Sequence, residues 1–123
     1  MNLLDTSAWI EYFLGTNHAK LFRSAAGEKE SLIIPSIVLY EIFKRFYQQY
    51  GKTAALDVVA LMRQGIVIPL DFELAVSAGT ISHETGLAMA DSIILATARR
   101  HDATIWTLDK DFEGMEKVKY FKK

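Results

Sequence analysis

Short apolar runs alternate with longer stretches of helical periodicity along almost the whole chain. Asn2–Asp5 reads as a buried strand. Thr6–Leu14 then reads as a helix, capped by Asp5 or Thr6 and stopped by Gly15. His18–Ala26 predicts a second helix ended by Gly27, and Ser31–Ile34 a second strand. Pro35 suits the first turn of a helix running to about Tyr50 and stopped by Gly51. Thr53–Gln64 predicts another helix, and the β-branched Ile66-Val67-Ile68 a third strand. Helices follow over Phe72–Glu84 and Ala90–His101. Thr104–Thr107 is a fourth strand and Val118–Phe121 a short fifth. Strands apolar on both faces and alternating with helices predict an α/β fold around a mostly parallel sheet covered on both sides.

Four acids occupy telling places in this pattern. Asp5 closes the first strand, Glu41 lies about two turns into the helix after Pro35, Asp91 opens the last long helix, and Asp109 follows the fourth strand. Ligands of parallel sheets bind beyond the carboxyl ends of the strands, at a topological switch point. Carboxylates gathered there repel one another unless a hard cation sits among them, as in magnesium-dependent phosphodiester cleavage. Each acid also has a plain structural explanation. Asp5 is a good helix cap. Glu41 is spaced to pair with Lys44 or Arg45. Asp91 suits the helix dipole, and Asp109 suits a turn. Asp111, two residues further on, is an auxiliary ligand candidate.

Composition narrows the options. The 123 residues are half hydrophobic and 24% charged, which fits a single globular domain over 1–123 rather than a disordered chain. No cysteine is present, excluding disulfides, zinc–thiolate sites and thiol catalysis. No signal peptide is seen, and no apolar stretch approaches the roughly 20 residues of a membrane span. A cytoplasmic protein without a membrane partner is the expectation. A net charge of −1 means that nucleic acid would be held by local basic patches. Lys44, Arg45, Arg99, Arg100 and Lys110 are candidates for phosphate contacts. No glycine-rich phosphate loop and no serine–histidine nucleophile arrangement is visible.

The N-terminal Leu-Leu-Asp-Thr-Ser, the mid-chain glutamate helix, Ala-Asp-Ser-Ile-Ile-Leu-Ala-Thr-Ala and Thr-Leu-Asp-Lys-Asp-Phe, in this order, resemble the PIN-domain ribonucleases. The likeness is in particular to the VapC-like toxins of bacterial and archaeal toxin–antitoxin pairs, and it covers essentially the whole chain. It implies a three-layer α/β/α sandwich. It also implies that Asp5, Glu41, Asp91 and Asp109 hold Mg2+ or Mn2+ for hydrolysis of RNA, with water as the attacking group. Thr6 and Thr107 stand where such proteins often have hydroxyls that orient the carboxylates. Leu108 departs from the many relatives that are polar there. The resemblance further implies a homodimer and a cognate antitoxin. The aromatic residues Trp9, Tyr12, Phe43 and Tyr47 suggest a partner groove. The alternatives are a housekeeping RNA-processing nuclease of the same type and a magnesium-binding phosphoacceptor signalling domain. The latter calls for an aspartate ending a central strand, whereas the middle runs in chain order end at Ile34-Pro35 and Ile68-Pro69. An inactive binding module on the same scaffold would not need the full acid set.

Overall fold

The computed structural model describes residues 1–123. Five short strands, β1 (Asn2–Leu4), β2 (Ile33–Pro35), β3 (Ile66–Ile68), β4 (Thr104–Thr107) and β5 (Val118–Tyr120), all pair in parallel. β1, β4 and β5 form one ladder and β2 and β3 another, and a parallel bridge between Asn2 and Leu32 joins them. The resulting order is β3-β2-β1-β4-β5. The chain therefore builds outward from β1 on one side and then crosses to the other, placing the switch point between β1 and β4.

Six helices cover the sheet: α1 (Thr6–Leu14), α2 (Ala19–Gly27), α3 (Ser36–Tyr50), α4 (Lys52–Met62), α5 (Phe72–Thr85) and α6 (Met89–Arg100). α1 and α2 pack on β1, and α6 packs on β2 and β4. α4 lies against α3 and α5 against α6. Every residue of α6 from Ser92 to Ala98 is buried, as the predicted apolar run requires. The core is continuous from Leu3 and Leu4 in β1 through Ile33 and Ile34 to Ile94 and Ile105.

The predicted elements all exist, with shifted ends. The second strand moves to Ile33–Pro35, because Lys29–Ser31 winds into a single 3-10 turn before it. Pro35 is the last strand residue, aligned with Ile68, and takes extended angles (φ −60°, ψ 137°) outside α3. A proline is tolerated at that end because the ladder stops there. α3 turns into α4 through Gly51 alone, whose φ of +90° is open to glycine and strained for other residues. Gly65 permits a different closeness. A Cβ there would lie 2.9 Å from the Leu32 carbonyl oxygen and would overlap Ile34.

Candidate active site

The site begins where β1 ends. Asp5 is the N-cap of α1, with extended angles, and its Oδ1 accepts from the Ala8 amide at 3.0 Å. Only 3% of Asp5 is exposed, so each carboxylate oxygen needs a donor. Ser7 donates its hydroxyl to Oδ1 at 2.7 Å, and Thr107, the last residue of β4, donates to Oδ2 at 2.5 Å. These two hydroxyls accept in turn. Asp109 N–H donates to Thr107 Oγ1 at 2.8 Å, and Leu108 N–H donates to Ser7 Oγ at 3.0 Å. The carboxyl ends of β1 and β4 are thus joined by a relay that also fixes the start of the Asp109 loop. Leu108 itself is buried, so its apolar side chain extends the core while its amide serves the site.

Asp109 caps the 3-10 turn Lys110–Phe112 by accepting from the Asp111 amide at 2.9 Å. That turn brings Asp111 back toward the sheet edge. Asp91 enters from the first turn of α6. One carboxylate oxygen from each of Asp91, Asp109 and Asp111 lies within 4.8 Å of the others. Glu41 arrives from α3 and accepts from Thr6 Oγ1 at 2.5 Å. Its bond to Thr6 replaces the exposed pairing with Lys44 or Arg45 that helical spacing alone allows.

The seven sequence candidates therefore fall into two groups. Asp91, Asp109 and Asp111 form the tight triad. Asp5 is committed to three donors beneath it, Glu41 is oriented by Thr6, and Thr107 links Asp5 to Asp109. Ser7 is the residue that sequence reasoning passes over. Following Asp5 and Thr6 it reads only as a helix-start residue, and its link to Leu108 spans 101 positions.

The electrostatics follow from this crowding. Asp91 has its pKa pushed up to about 7, first by desolvation and then by repulsion from Asp109, Asp5, Asp111 and Glu41. Burial also raises Asp5 above the ordinary carboxylate range, although the Thr107, Ser7 and Ala8 donors oppose it. The chain has two ion pairs, Arg100–Asp71 and Lys117–Asp102, and none of these five acids takes part. Oxygen donors of hard character, close together and without a protein cation, suit Mg2+ or Mn2+.

Two expectations need correction. Trp9 offers almost no face to a partner: it is 3% exposed and stacks on Phe13 in the core, Tyr12 and Phe43 are half-buried, and the small pocket that Trp9 and Tyr12 line does not extend to Phe43 or Tyr47. The central strand is β1, not one of the strands in the middle of the chain, and it does end in an aspartate. A phosphoacceptor role fails for another reason. Both oxygens of Asp5 are buried and hydrogen-bonded, so neither is free to take a phosphoryl group.

A three-layer parallel α/β domain with carboxylates gathered at the switch point is an arrangement suited to metal-assisted phosphodiester chemistry. The PIN domain family model matches residues 3–118, and the chain belongs to that family. Among solved structures it is similar to a toxin–antitoxin complex from Klebsiella pneumoniae, at 26% identity and TM-score 0.83, over 99% of both chains. It shares its fold with Mycobacterium tuberculosis VapC20, a sarcin–ricin loop cleaving toxin, at 20% identity and TM-score 0.77, over 97% of this chain and 99% of that one. The same holds for DNA-bound VapBC from Salmonella typhimurium, at 20% identity and TM-score 0.73, over 99% and 98%. No curated protein sequence matches the chain.

Proposed function

We propose that the protein is a metal-dependent endoribonuclease and the toxin of a toxin–antitoxin pair, acting in the cytoplasm. One observation carries the catalytic part: five carboxylates share the sheet edge and no lysine or arginine neutralises them. The similarity to toxin–antitoxin structures, one of them an RNA-cleaving toxin, supports the biological part.

Asp91, Asp109 and Asp111 would hold Mg2+ or Mn2+, with Asp5 and Glu41 completing the negative field. The bound ion supplies Lewis-acid stabilisation of the phosphate and activation of water. The protein's own work is positional. Thr107 and Ser7 keep Asp5 ionisable and in place, Thr107 and the Asp111 amide fix both ends of Asp109, and Thr6 aims Glu41. Asp91, lacking such donors and with its pKa pushed to about 7 by burial and by its acidic neighbours, is the carboxylate whose ionised form gains most from a bound cation.

A homodimer belongs to this proposal, and the exposed apolar side chains of α5 and α6 support a seam there. Phe72 (82% exposed) and Val76 lie one turn apart on α5, with Met89 at the start of α6. A cognate antitoxin completes the proposal: a basic side chain from it can neutralise the acids and displace the ion.

RNA incubated with the purified protein should be cut in magnesium or manganese and left whole in chelator. Induction should arrest cells, and the Asp91→Asn chain at equal level should not. Equal cleavage with and without chelator would overturn the metal mechanism. Equal growth with clear cleavage in vitro would favour the RNA-processing role. Phe72→Glu should halve the mass seen by light scattering.

A further inference from the structure

α3 buries Val38, Ile42 and Phe46 and turns a different kind of surface to solvent. Tyr40, Lys44 and Tyr47 follow at helical spacings of four and three, so they form one stripe about 10 Å long. Tyr40 is 59% exposed and Tyr47 47%. Lys44 Nζ stands 6.0 Å from the centre of the Tyr40 ring, and Phe43 braces the Tyr47 ring edge-on at 5.7 Å. The stripe starts beside Glu41, whose carboxylate belongs to the acidic site. Glu41 is also the only acid on α3. Lys44 and Arg45 have no carboxylate partner.

We propose that this stripe seats the bases of a single-stranded RNA leading into the acidic site. Each tyrosine would offer a stacking face, and Lys44 and Arg45 would hold the intervening phosphates. This rests on the ribonuclease reading and adds where the strand runs. Charge decides the occupant. Exposed rings interleaved with unpaired cations match a polyanion with π faces, whereas the apolar face at Phe72 and Val76 matches a protein surface. Tyr47 is also held in position by Phe43, so less side-chain freedom is lost when a base stacks on it.

The test uses the full-length Asp91→Asn chain, so that RNA is bound without being cut, and fluorescence anisotropy of a labelled 12-nucleotide single strand. Adding Tyr40→Ala and Tyr47→Ala should weaken binding by about tenfold or more. Adding Tyr40→Phe and Tyr47→Phe should leave it within about twofold, because stacking survives. Lys44→Ala should weaken binding and flatten its salt dependence. In the active chain, the two alanines should raise KM for long RNA while kcat stays unchanged. Circular dichroism and the unchanged kcat establish that the variants are folded. Unaltered RNA affinity in the double-alanine chain overturns the inference, and the ribonuclease reading stands if that chain still cuts RNA. Loss of dimer mass with unaltered RNA affinity assigns the stripe to a second copy and also overturns it. No RNA binding by the parent Asp91→Asn chain overturns it outright.

Discussion

The two edges of the sheet use aspartates in opposite ways. At the carboxyl edge, Asp5 and Asp109 are held by hydroxyls and amides, Asp91 has no such donor, and the three repel one another. At the other edge, Asp102 precedes β4 and Lys117 precedes β5. Lys117 Nζ donates to the Asp102 carboxylate at 2.5 Å and to its carbonyl at 2.9 Å. The Lys117 hydrogen bond, and then its charge, hold Asp102 below the ordinary carboxylate range, whereas Asp91 is pushed to about 7. One edge satisfies its acid with a cation from the chain. The other withholds that cation and leaves its acids uncompensated, a demand that the proposed metal ion would meet. Stability and function are thus separated along the strand direction, within a sheet whose strands are only three or four residues long.

The sharpest way to break this contrast is to neutralise the demanding edge. Asp91→Asn and Asp109→Asn should each lower RNA cleavage by more than about a hundredfold while the circular dichroism spectrum is kept. Asp5→Asn should do the same; asparagine keeps the N-cap bond through its amide oxygen, while its NH2 facing the Thr107 hydroxyl should cost about 1–3 kcal/mol of stability. Two of these three variants cutting at near wild-type rates would mean that the acid rim is structural after all.

Thr107→Val tests whether the relay beneath the rim matters. The substitution keeps the shape but leaves a buried Asp5 oxygen and the Asp109 amide without their partner. Orienting groups of this kind are worth about 10–100-fold in activity. The stranded carboxylate oxygen should also cost about 1–3 kcal/mol of stability in denaturant unfolding. A variant as stable and as active as wild type would remove Thr107 from the site.

The rim was more legible in the sequence than its support. Strand ends and helix starts are marked by local residue types, so Asp5, Asp91 and Asp109 could be placed at one sheet edge before any pairing was known. The relay depends on β1 and β4 lying side by side, a contact between residues about a hundred positions apart that no local pattern encodes. For the same reason Ser7 reads only as a helix start, and Asp111 reads as an auxiliary although the 3-10 turn carries it into the triad. The central place of β1 is hidden too, because chain order and sheet order differ. Trp9 shows the limit of counting aromatics. α1 has Trp9, Tyr12 and Phe13 within five positions, and only packing decides that Trp9 and Phe13 stack inward.

The pH dependence of stability sharpens the comparison further. In chelator, Asp91 keeps its proton to about pH 7 when folded and loses it near its ordinary value of 3.8 when unfolded. Between those values the native state binds more protons. Stability should therefore fall as pH rises from about 4 to about 7 and level off above. Asp91→Asn removes the Asp91 share of that dependence and leaves the share from Asp5, whose pKa burial also raises. Its melting temperature should exceed that of wild type by about 5 °C at pH 8, and the difference should vanish near pH 4. A wild-type melting temperature that rises over this interval by the amount seen in Asp91→Asn would show that the rim repulsion is not felt.

The same change of residue at the opposite edge should have the opposite sign and the smallest size. Asp102 adopts φ +51° and Lys117 φ +58°, both in the left-handed region that most side chains avoid. Asparagine enters that region as readily as aspartate, so Asp102→Asn removes the charge without adding backbone strain. The lost ion pair is exposed, and exposed pairs contribute little. Melting at pH 8 should drop by no more than about 2 °C. The drop should shrink in high salt, which screens exposed charges, and should disappear in acid once Asp102 of the wild type is itself protonated, below its ordinary pKa. RNA cleavage should be unchanged, because this pair lies across the sheet from the acids. A gain in stability, matching the gain expected for Asp91→Asn, would mean that the two edges do not differ in the way their ion pairing indicates.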